Sequence, residues 1–145
     1  MATVELRFSA LPAHVRTARL VGAALARRAG LQEPLLDEVR LAVGEACSRA
    51  VQLHLRHCPQ IPVRVVLNDE PPGFVVAVYD QVPDSGPQDG SDALEDLVEA
   101  LELAHSPLPA GVGLAVISGL VDDVHIDTGR QGAVVTMRWP ILICQ

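Results

Sequence analysis

A carboxylate and a guanidinium stand four residues apart in the stretch Leu41-Ala-Val-Gly-Glu-Ala-Cys-Ser-Arg-Ala-Val51. The apolar residues around them, Leu35, Val39, Ala42, Val43, Ala46, Ala50 and Leu53, recur at helical spacing. Glu45 and Arg49 therefore share one helix face, one above the other. Gly44, Ala46, Ser48 and Ala50 flank them, so a backbone or a ligand can come close. Such a glutamate has two uses. It can pair internally with Arg49, an arrangement worth about 0.2–0.5 kcal/mol on a helix that would hold its pKa low. Or it can be a catalytic or ligand-binding carboxylate. A second carboxylate, Asp80, closes the apolar run Phe74–Tyr79. Gly111-Val-Gly113 opens another apolar stretch, where the backbone amides of a helix start can cradle phosphate.

The elements that must position these groups are short. Thr3–Ser9 alternates Val4, Leu6 and Phe8 with polar residues, the pattern of a half-buried strand. Pro12 suits the first turn of a helix reaching about Ala29, and Gly30 stops it. Glu33-Pro34 opens a second helix, which carries the Glu45 stretch and ends near His57. Ile61–Leu67 alternates as a strand, and the continuous apolar run Phe74–Tyr79 predicts a strand covered on both faces. Leu94, Leu97, Val98 and Leu101 predict a short acidic helix over 92–104, and Leu114–Val121 an apolar one. Val124–Asp127 and Ala133–Trp139 form a final strand pair around Gly129-Arg-Gln-Gly132. This order predicts one sheet with helices on one face, a two-layer α/β sandwich, in a single domain over 1–145.

With 145 residues, 49% of them apolar, the chain can build one core. No apolar run approaches a membrane span of about 20 residues, and the polar alternation of Met1–Arg7 leads to the expectation of no secretory leader. A cytoplasmic location without membrane attachment is the expectation. Three cysteines, Cys47, Cys58 and Cys144, lack metal-ligand spacing and read as plain thiols. His54 and His57 near a helix end read as surface histidines favoured by the helix dipole; no metal site is expected. Every basic residue is an arginine. Residues 1–64 hold nine Arg against five Asp and Glu, whereas 65–129 hold thirteen Asp and Glu and no Arg. The acidic half resists nucleic acid and favours a basic partner, or is a solvated surface.

Glu45-Ala46-x-x-x-Ala50 resembles the Glu-Ala-x-x-Asn-Ala box of the Bergerat-fold ATPases, the histidine-kinase-like superfamily. The match is closest to its anti-sigma-factor serine/threonine kinase branch. Phe8-Ser-Ala-Leu11 followed by Thr17-Ala-Arg19 is similar to the start of those kinases, and the resemblance covers nearly the whole chain. It implies a Bergerat-type sandwich with a mixed, mostly antiparallel sheet and a lid region at 81–110. It also implies a homodimer formed through the first strand. The resemblance makes Glu45 the general base, Asp80 the adenine-recognising acid, Gly111 and Gly113 the second glycine box, and Thr136 a last-strand residue near adenine. Arg19, with Arg16 beside it, falls on the surface that grips a sigma factor or an anti-anti-sigma (STAS-domain) protein; an arginine fork suits carboxylates there.

The departures from the family pattern are specific. Arg49 replaces the Asn that holds magnesium, and a cation there repels the metal and removes an oxygen ligand. Val82 and Asp84 fill both glycine positions after Asp80. Residues 84–110 hold seven Asp and Glu and no cation, where phosphates want positive charge. The expectation is a partner-switching regulator with lost or reduced ATP binding, no resident cofactor and no bound magnesium. The alternative is an active ATP-dependent serine/threonine kinase that phosphorylates an anti-anti-sigma factor.

Overall fold

The computed structural model describes residues 3–69, 73–83, 117–119, 121 and 123–141. Its elements are β1 (Thr3–Phe8), α1 (Pro12–Ala29), α2 (Glu33–His57), β2 (Val63–Asn68), β3 (Gly73–Tyr79), β4 (Asp123–Gly129) and β5 (Gly132–Pro140). Both helices end where local chemistry dictates. Pro12 and Pro34 sit in first turns, where a missing N–H costs nothing. Gly30 adopts φ 105° and returns its N–H to the carbonyls of Ala26 and Arg27, closing α1.

The five strands lie in the order β1-β2-β3-β5-β4. All four pairings are antiparallel, so the sheet described is antiparallel throughout rather than mixed. Along β5 the burial alternates: Ala133, Val135, Met137 and Trp139 face the core, and Val134, Thr136 and Arg138 face away. β2 alternates likewise with Val63, Val65 and Leu67 inward. α1 and α2 cover the inward face, contributing Leu36, Val39, Val43, Ala46, Cys47 and Ala50 to one core with the sheet. On β3, Phe74, Val76 and Val78 join that core, while on the other face Ala77 is buried and Val75 and Tyr79 are half buried. The strand is therefore covered on both faces, more completely on the helix side. The lone tryptophan, Trp139, packs its ring near Phe74 with centroids 6.1 Å apart and donates its indole N–H to Glu38 Oε1 at 3.0 Å. That bond pins the last strand to the second turn of α2, the helix that carries the candidate site.

Ile117 and Val121 are buried in the same core. The helix expected over 92–104 lies outside the described residues, as do residues 114–116 and 120 of the one expected over 114–121; residues 117–119 of it are helical.

Candidate functional site

The sheet-facing side of α2 delivers Arg49 onto the end of β3. The Arg49 side chain is 2% exposed and that of Asp80 0%, and Nη1 donates to Asp80 Oδ2 at 2.9 Å. The other carboxylate oxygen, Oδ1, accepts the N–H of Val82 at 3.0 Å and that of Ala133 at 3.4 Å. The Asp80 backbone N–H donates to the Ala133 carbonyl at 3.0 Å. So three elements, α2, the turn after β3 and the start of β5, converge on one carboxylate. A buried acid needs this: each oxygen has a donor, and one donor carries the balancing charge.

His54, one turn further along α2, completes the arrangement. It is fully buried, not the surface histidine that its position near a helix end suggested. Gln81 N–H donates to Nε2 at 3.0 Å, so Nδ1 carries the ring proton and donates it to the Ile61 carbonyl at 2.7 Å. His57 is exposed, as expected. Gly132 closes the group from the other side. It sits at φ 120°, and a Cβ there would run into the Asp80 carbonyl oxygen.

Glu45 is separate from this cluster. It is half buried, and no ion pair joins it to Arg49; the cation whose charge it feels is Arg19 on α1. The internal i,i+4 pair is therefore not what holds this helix, because the Arg49 guanidinium turns to the sheet instead. Burial pushes the Glu45 carboxyl above its ordinary value, and Arg19 offsets this only in part. The pKa is raised, not held low as an Arg49 pair would make it. The sign follows: the folded chain holds this proton more tightly than the unfolded one, so ionised Glu45 opposes folding as pH rises. Glu45→Gln is expected to raise the thermal midpoint at neutral pH. The gain should shrink to nothing below about pH 4, under the ordinary glutamate value of 4.5. Melting curves of both proteins from pH 3.5 to 8 check this; a pH-independent difference would refute it.

The other expected residues divide. Arg16 and Arg19 are exposed on α1. Thr136 pairs with Ala77 and His125 on the sheet face turned away from the helices, so it is not brought to Asp80; the β5 residue that reaches Asp80 is Ala133, through its backbone. Val82 is buried, and its N–H caps Asp80 in place of a glycine's free approach. Asp84, Gly111, Gly113 and the rest of the 84–110 segment lie outside the described residues. Cys47 is an inert thiol, pushed up to about 12 by burial. Cys58 is raised by burial and by the negative charge of Asp80, so it too is a poor nucleophile at neutral pH. Cys144 lies outside the described residues.

Residues 8–139 match the model of the histidine kinase-like ATPase domain family. This chain belongs to that family. Within it, the chain is similar to the serine-protein kinase RsbW of Bacillus licheniformis, with 25% identity over 92% of this chain and 83% of the relative. It is similar also to the serine-protein kinase RsbW of Halalkalibacterium halodurans, with 26% identity over 93% of this chain and 81% of the relative. The antiparallel sheet with helices on one face is consistent with a histidine kinase-like ATPase fold. Among the described residues, no helix is long and apolar enough to cross a membrane.

Proposed function

We propose that this chain is a cytoplasmic anti-sigma-factor-type regulator. It binds a sigma factor, an anti-anti-sigma (STAS-domain) protein, or both, in bacterial partner switching, and has lost or reduced its nucleotide chemistry. The observation that carries this reading is the buried Arg49–Asp80 pair. In the family the Asp80 position takes the adenine amino group and the Arg49 position holds magnesium through an amide oxygen. Here each of these groups is spent on the other. The residues present do not fit a magnesium nucleotide: a guanidinium supplies no oxygen ligand, and the acid's lone pairs already face Arg49, Val82 and Ala133.

The family resemblance supports a homodimer formed through β1, which is an edge strand of the described sheet with one side left to pair. Arg16 and Arg19 on α1 are the partner-binding candidates.

A working serine kinase is the second reading. Glu45 favours it, since a half-buried carboxyl with a raised pKa suits a general base. Titration calorimetry with ATP, with and without magnesium, separates the two. The expected result is no binding tighter than about 1 mM. A micromolar, magnesium-dependent site, or phosphoserine on a STAS protein mixed with ATP and this chain, would establish the kinase instead. Failure to capture either a sigma factor or a STAS protein would remove partner switching.

A further inference from the structure

We propose that Gly44 is a seat for the Arg19 side chain, fixing the pose in which Arg19 takes a carboxylate from a protein partner. This rests on the partner-binding reading given above. An ideal Cβ at Gly44 would lie 2.8 Å from Arg19 Cδ, 3.2 Å from Cγ and 3.3 Å from Nε. Two carbons of the arginine stem and the guanidinium Nε thus lie on the bare backbone of α2. No other residue type leaves that room.

The glycine has no conformational reason to be there. It lies in the interior of a 25-residue helix, and the positive-φ glycines of the described chain are Gly30 and Gly132. A mid-helix glycine weakens the helix relative to alanine. The close crossing of α1 side chain over α2 backbone is the compensating use. Glu45, the next residue, places a negative charge within reach of Arg19 and biases the guanidinium toward α2.

The head group is nonetheless available. Arg7, Arg27, Arg40, Arg49, Arg64 and Arg138 all lie within 4.0 Å of a carboxylate oxygen. Arg19 has no such salt bridge among the described residues, and the residue is exposed. A pinned stem with a free, planar fork is a prepared carboxylate receptor. The side-chain freedom that an exposed arginine loses on binding is already spent. Gly44 and Glu45 are then positioning residues for Arg19.

The test is a double-mutant cycle on the full chain with Gly44→Ala, Arg19→Ala and the pair. Two properties are read: urea stability, and binding to a purified sigma factor and a purified STAS-domain protein. The atoms displaced by the new methyl belong to a flexible side chain, so Gly44→Ala is expected to fold. In the Arg19→Ala background it should raise the folding constant about fivefold, the ordinary helix gain. With Arg19 present most of that gain should vanish. Gly44→Ala should weaken binding of the probe about tenfold and cost nothing further once Arg19 is gone. An equal stability gain in both backgrounds would show that nothing is seated on Gly44. A binding loss unaffected by Arg19 would overturn the positioning role. A wild-type chain that binds neither probe would instead overturn the partner-binding reading, and the stability cycle would still report on the seat.

Discussion

Replacing Arg49 with leucine is expected to destabilise the chain by about 3–5 kcal/mol, one of the largest single-residue losses available in it. The size comes from what is left behind. Asp80 would keep its two backbone donors, Val82 and Ala133, but its buried charge would lose the guanidinium that balances it. Asp80→Asn should also be costly, since it takes the carboxylate away from a guanidinium whose side chain is 2% exposed. The two losses should not add. Arg49→Leu with Asp80→Asn leaves a neutral amide that still accepts the same two N–H groups, so the pair should recover up to about 3 kcal/mol of the summed loss. Urea unfolding followed by Trp139 fluorescence measures all four proteins. Trp139 is the only tryptophan, and it is buried with its indole N–H bound to Glu38, so its emission reports the core. Additive single losses would mean that the guanidinium is not what neutralises Asp80. A nucleotide-binding chain would behave differently again: saturating ATP would rescue Arg49→Leu by supplying its own donor to Asp80.

The secondary structure was largely legible in the sequence, because it is written in local periods. α1 and α2 follow from apolar spacing, a proline in each first turn and Gly30. The β1, β2 and β5 alternations follow from the pleat. The site was legible only in its residue types. Glu45, Arg49 and Asp80 stand out as charges in apolar surroundings, but the helical i,i+4 rule assigns Arg49 to Glu45. The real partner lies 31 residues away, chosen because α2 lays that turn against the end of β3. The same holds for His54. Its last-turn position suggests solvent, yet the turn through Ile61 and the chain at Gln81 close over it. Long-range acceptors leave no periodic trace. Thr136 shows the converse: its residue type fits the family, and strand parity places it on the face away from the helices and Asp80.

Gly132 is the position where this convergence is most exposed to a single methyl group. Gly132→Ala is expected to cost about 2–5 kcal/mol, by two separable effects. One is conformational, since φ 120° is open to glycine and strained for alanine. The other is steric: the new Cβ would meet the Asp80 carbonyl oxygen, with the Asp80 carbonyl carbon and the Gln81 Cα each 2.8 Å away. All three are backbone atoms and cannot rotate aside, so the hairpin or the Asp80 turn must shift. Three alanine variants separate the effects. Gly129→Ala, at the other side of the same hairpin, has nothing within 4 Å of its Cβ and no positive φ, and should be nearly silent. Gly30→Ala has φ 105° in open space and should show the conformational cost alone, about 1 kcal/mol. Gly132→Ala should exceed Gly30→Ala by the steric part. That excess should fall in the Arg49→Leu/Asp80→Asn background, because a turn no longer held by an ion pair can yield to the methyl. An excess that persists there in full would mean that the hairpin is rigid on its own, and that Arg49 does not fix the turn against it.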